Sequence, residues 1–186
     1  PVSGGYLPVI SLFASYGYVV VAPFHGDQRF LAGDDLGNAI SLLAHQGPFN
    51  ALQSLRPLSM SAAIDLMLGH PQWRDHIDAA RIGGFGVSIG GETLLLMGGA
   101  GLTTSPDMSW SQTVRDPRLK AAVGYLPYFG APLLPAFGRD QNGLGGVTLP
   151  YLAISGSTDT TAPLGMTEKG VAQLAGTREL VVLNGV

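Results

Sequence analysis

The stretch 81-RIGGFGVSIGGETLLL-96 passes from a short apolar run through a glycine-rich turn into a segment with helical spacing, and it sets Ser88 at the turn. A strand, then Gly-x-Ser-x-Gly, then a helix holds a serine out on a sharp, strained corner, an arrangement that suits a nucleophile. Gly86 and Gly90 flank the serine, because side chains at both are expected to collide with the neighbouring strand and helix while the serine backbone is strained. The helix N-terminus supplies a positive dipole, and the Ile89 N–H is positioned to meet an oxygen that turns negative during acyl transfer. The plain alternative is a glycine-rich turn whose serine merely caps the helix. The preceding strand and the additional Gly91 favour the nucleophile. Glu92 falls in the first helical turn, where a carboxylate is favoured by the dipole, and is read as structural.

Working outward, four further runs read as strands beside residues 81–87: 17–24 (GYVVVAPF), 120–127 (KAAVGYLP), 150–157 (PYLAISGS) and 178–186 (RELVVLNGV). Their near-continuous hydrophobicity predicts burial on both faces, as in a parallel sheet between helices. Helical spacing appears in LPVISLFASY, in LQSLRPLSMSAAIDLMLG with a stripe of Leu55, Leu58, Ala62 and Leu66, in GETLLLMGG and in LGMTEKGVAQLAG. The order alternates α and β. Two long stretches, 25–50 and 128–148, interrupt it, and loops of that length are usually functional or disordered.

Composition narrows the function. The 186 residues suit one domain with a real core, since 46% are hydrophobic. Ten Lys and Arg against 13 Asp and Glu give a formal charge of -3, and no basic stretch offers a footprint for nucleic acid. No apolar run approaches the roughly 20 residues of a membrane span, YVVVAPF being broken by Pro23. The absence of cysteine excludes disulfides, thiolate nucleophiles and Cys-ligated zinc. Histidines and carboxylates show no metal-ligand spacing, and the dinucleotide pattern begun by Gly84-Phe85-Gly86 meets Ile89 where its third glycine belongs. No metal and no cofactor are expected. The chain begins at Pro1 without a leader and stops at VVLNGV in what reads as mid-strand, so a piece of a longer protein is expected, with compartment and oligomeric state open.

A serine nucleophile needs a base, and the base needs a carboxylate to orient it. Asp159 stands just past the strand end in LPYLAISGSTDTTAP, which puts it at the same sheet edge as Ser88. An Asp closing a turn is the plain alternative, and the order Ser then Asp favours the catalytic reading. Asp116 and Asp140 lie in loops with no strand end before them. All four histidines, His25, His45, His70 and His76, precede Ser88, whereas this arrangement wants the base after the acid. His25 ends a strand near the active edge and is expected to pack or bond within a turn. The other three are expected to be solvated.

FASYGYVVVAPFHGD, IDAARIGGFGVSIGGE, DPRLKAAVGYLP and LPYLAISGSTDTTAP together resemble the α/β-hydrolase family. The resemblance is closest to its dienelactone-hydrolase-like and platelet-activating-factor-acetylhydrolase-like serine esterases, relatives of cutinase-type polyester hydrolases, and it covers most of the chain from about residue 12. It implies a mostly parallel sheet with helices on both faces, incomplete at both ends in this chain. It makes Ser88 the nucleophile, Ile89 one oxyanion donor and Asp159 the triad acid. The other donor is then expected at or before Pro1, with Gly4, Gly5 and Tyr6 as the tail of its loop, and the catalytic histidine beyond Val186. True dienelactone hydrolases use cysteine, which this chain lacks. Segments 101–118 and 128–148 are expected to form a lid or wall over an acyl pocket, with Trp110, Tyr128, Phe129 and Phe137 either lining it or belonging to the core. The implied activity is hydrolysis of a small-molecule or polymeric carboxylic ester through an acyl-enzyme. Acyl transfer or peptide hydrolysis on the same triad, and a non-catalytic binding protein on the same fold, are the alternatives.

Overall fold

The computed structural model describes residues 4–25, 46–131 and 134–186. Its main elements are α1 (Leu7–Ser15), α2 (Gln46–Gly69), β1 (Ile82–Val87), α3 (Ile89–Met97), β2 (Gly101–Thr103), β3 (Trp110–Gln112), β4 (Leu119–Tyr125), β5 (Gly130–Ala131), β6 (Leu134–Pro135), β7 (Tyr151–Gly156), α4 (Leu164–Gln173) and β8 (Arg178–Leu183). The central sheet runs β1-β4-β7-β8, and every neighbouring pair is parallel. Parallel neighbours require crossovers; α3 joins the β1 side to the β4 side and α4 joins β7 to β8. The architecture is therefore α/β, as the alternation predicts. Two antiparallel pairs, β2–β3 and β5–β6, lie outside the sheet.

The alternation of side chains along β1 locates the layers. A Cβ at Gly84 would overlap the Leu94 side chain, and one at Gly86 would overlap the Gly90 backbone, so both glycines face α3. Phe85 points the other way, and its ring lies 6.0 Å from that of Phe13 in α1. Helix α1 thus meets the second face of the sheet at β1. The α3 side holds the core, where Leu94, Leu95, Leu96 and Met97 are buried with Leu119, Ala122, Tyr151 and Ala153. On the α1 side, Val123, Leu152 and Ile154 are only half-buried and Val181 is exposed. The expectation of burial on both faces is met on the α3 side alone, because α1 reaches the sheet at β1.

Four of the five expected strands form. Residues 17–24 pair with no described strand, and Val21 and Phe24 are exposed. The run of valines favours a strand only where a pleated neighbour is there to pack against, and that packing decides. The stripe of Leu55, Leu58, Ala62 and Leu66 also departs from its reading, since all four are exposed. The buried side of α2 instead carries Leu52, Gln53 and Pro57, with Met60 and Ile64 packed on the core. Phe129 and Phe137 are core residues, their rings edge-on at 5.7 Å, while Trp110 is largely exposed and Tyr128 half-buried.

Candidate active site

Ser88 sits between β1 and α3 with φ 52° and ψ −118°, a left-handed conformation that costs a non-glycine residue about 1–3 kcal/mol. Four backbone bonds hold it there. Its N–H donates to the Tyr125 carbonyl at 3.0 Å, and its carbonyl accepts the N–H groups of Gly91 at 2.9 Å, Tyr128 at 3.0 Å and Glu92 at 3.3 Å. The N–H groups of Ile89 and Gly90, at the start of α3, have no acceptor among the described residues. Such donors suit an oxyanion.

The glycines divide the steric work differently from the sequence expectation. Gly86 behaves as expected. A Cβ at Gly90 meets no described atom within 4 Å, whereas at Gly91 it would lie 2.7 Å from the Pro127 Cβ. The tight contacts are therefore at Gly86 and Gly91, because α3 approaches the turn after β4 with the Gly91 side of its first turn.

Val87 is in register with Tyr125, and Tyr125 with Ile154, so Ser88 and the loop after β7 leave the sheet at the same edge. One strand separates β1 from β7, a spacing of about 10 Å. Asp159, half-buried, stands in that loop. Its Oδ1 accepts the N–H of Thr161 at 2.8 Å and of Ala162 at 2.9 Å, and its Oδ2 accepts nothing among the described residues. The chain leaving β8 returns beside this loop, since the Thr158 N–H donates to the Val186 carbonyl at 2.9 Å and the Gly185 N–H to the Ser157 hydroxyl at 2.9 Å.

The weaker acid candidates fall away on geometry. Asp116 precedes β4 at the opposite edge, where Arg118 donates to it through Nε at 2.8 Å and Nη2 at 2.6 Å and the Ser61 hydroxyl binds it too. Asp140 is exposed and paired with Lys169 at 2.6 Å. His76 lies in the turn before β1, at the far edge, and His70 at the end of α2 accepts the Gln72 N–H. His45 lies outside the described residues. His25 is half-buried; burial and the nearby Arg56 charge hold its pKa down to about 4, and its Nδ1 has no partner among the described residues.

A buried polar group that the sequence reading did not anticipate lies beside the serine. Glu92 is fully buried, with Gln53 Nε2 donating to its Oε1 at 2.5 Å and Oε2 unpartnered among the described residues. Burial pushes its carboxyl up to about 8, against the Gln53 hydrogen bond and the Arg56 charge. This desolvation works against the charge that the helix dipole favours at Glu92. Thr93 donates to the Ile89 carbonyl at 2.8 Å and accepts Arg56 Nε at 3.3 Å. The apolar run on every side of Glu92 was the signal, because a helix apolar all round is buried all round.

In overall structure the chain is similar to the dienelactone hydrolase of Anabaena variabilis, at 22% identity over 82% of this chain and 57% of that one, with a TM-score of 0.47. It is similar also to the acetyl ester-xyloside bifunctional hydrolase of Caldicellulosiruptor lactoaceticus, at 15% identity over 73% of this chain and 55% of that one, with a TM-score of 0.46. The chain spans a little over half the length of these two proteins. No protein-family model matches it, and no curated protein does. Among the described residues no helix is long and apolar enough to cross a membrane, and no group of His, Cys, Asp and Glu could hold a metal ion.

Proposed function

We propose that this chain carries the core of a serine hydrolase of the α/β-hydrolase type, acting on carboxylic esters through an acyl-enzyme. The observation that carries the reading is the strained Ser88 at a strand-to-helix corner, on the same sheet edge as an Asp159 whose Oδ2 is free among the described residues. Ser88 Oγ attacks the ester carbonyl carbon while its proton passes to an imidazole oriented by Asp159. The carbonyl oxygen becomes negative and is met by the Ile89 N–H at the positive end of α3. As the tetrahedral intermediate collapses, the imidazolium returns its proton to the leaving alcohol. Water then repeats the sequence on the acyl-serine, which releases the acid.

We assign the imidazole to the chain that follows β8; the hydrogen bond of Thr158 with Val186, which sets residues 184–186 beside the loop of Asp159, supports that reading. Hydrolysis of a short p-nitrophenyl ester by the full-length protein and its Ser88→Ala variant tests the function. Turnover is expected in the first and not in the second; equal turnover in both contradicts the assignment.

A further inference from the structure

Glu92 has no task in the scheme above, yet it belongs to the turn that holds the serine. Its N–H closes on the Ser88 carbonyl, and its side chain is gripped by Gln53 of α2. The next residue, Thr93, links Arg56 of the same helix to the Ile89 carbonyl. Helix α2 therefore holds the first turn of α3 at two consecutive side chains, next to the peptides of the nucleophile and of the oxyanion donor.

We propose that Glu92 is a positioning residue for Ser88 that works in its uncharged form: bound to Gln53 it fixes the elbow turn against α2, and once ionised it opposes the oxyanion. This inference rests on the reading of Ser88 as nucleophile. A carboxylate one turn below the Ile89 N–H cancels part of the positive potential that the helix N-terminus provides. Burial keeps the proton on Glu92 up to about pH 8, with the Arg56 charge and the Gln53 amide pulling the other way. Tyr128, from the turn after β4, and Tyr151, from β7, also face it, and burial raises both phenols, that of Tyr128 to about 12. Arg56 in turn faces Tyr6 and His25, and the latter is held neutral above about pH 4. Glu92 thus changes charge at mildly alkaline pH while Tyr128, Tyr151 and His25 keep theirs.

The pH profile of covalent labelling by a fluorophosphonate probe tests this in the full-length protein, comparing wild type with Glu92→Gln and Gln53→Met and using Ser88→Ala as control. Glutamine at position 92 keeps the acceptor for Gln53 and cannot ionise. Wild-type labelling is expected to fall about tenfold from neutral to alkaline pH, and the Glu92→Gln rate is expected not to fall. Gln53→Met removes a bond that favours the ionised form, so its fall moves to higher pH. The same alkaline fall in wild type and Glu92→Gln overturns the proposal. If Glu92→Gln does not fold, the Gln53→Met profile decides, and an unmoved fall overturns it. Persistent labelling of Ser88→Ala removes the nucleophile reading itself, and with it this inference.

Discussion

The Tyr128 N–H donates to the Ser88 carbonyl at 3.0 Å, joining the turn after β4 to the turn after β1. Through it the strained serine is held by the strand adjacent to its own as well as by the helix that follows. The bond also places Pro127 against Gly91, which is why the second glycine with no room for a side chain is Gly91.

Gly91→Ala is expected to destabilise the fold by about 1–3 kcal/mol, because its Cβ would be driven into Pro127 in a packed region. Gly90→Ala has open space and a helical position, so it is expected to be neutral or to stabilise by up to about 1 kcal/mol. Denaturant unfolding of the two variants checks the contrast. A Gly90→Ala variant as damaged as Gly91→Ala would contradict the packing described for the elbow.

Asp159→Asn keeps an Oδ1 for the Thr161 and Ala162 amides, so the loop should hold its shape. The rate of ester hydrolysis is expected to fall by about 10⁴, since an amide no longer selects the imidazole tautomer that accepts the serine proton. Near-native turnover with an intact fold would remove Asp159 from the proposed triad.

Asp116 is expected to matter for stability and not for rate. Arg118 and Ser61 bind its buried carboxylate and hold its pKa down to about 2, tying α2 to the start of β4. Below its ordinary range the unfolded chain takes up the proton first, so this stabilisation is present above about pH 4 and is lost as pH falls toward 2. Asp116→Ala should cost about 2–3 kcal/mol and flatten the acid limb of the stability curve. Thermal unfolding across that range gives the answer, and loss of turnover without loss of stability would be the contrary result.

Glu92 contributes with the opposite sign. Unfolded, it ionises near 4.5; folded, near 8, so folding retains a proton between those values. Stability from this group is full below about pH 4.5 and is lost as pH rises toward 8, by an amount on the order of a few kcal/mol. Glu92→Gln should remove that slope in urea unfolding measured across the same range. An unchanged slope would place the proton elsewhere.

Much of this was legible in the sequence because strands buried in a parallel sheet read as unbroken apolar runs, and residues 81–87, 120–127, 150–157 and 178–186 did so. The placing of Ser88 and Asp159 at one sheet edge was legible for the same reason, since both stand just beyond two of those runs. Hydrophobicity misled at α2. Its inward face carries Gln53 and Arg56, whose partners Glu92 and Thr93 lie far along the chain, so the outward leucines made the more apolar stripe. Residues 17–24 have strand composition, and composition does not supply a ladder partner.

The most direct measurement is the site of fluorophosphonate attachment in the full-length protein at neutral pH, read by peptide mass spectrometry. The account predicts a single adduct on the peptide that contains Ser88, absent from Ser88→Ala and strongly reduced in Asp159→Asn. An adduct at another residue, or none on a folded protein that hydrolyses esters, would contradict it.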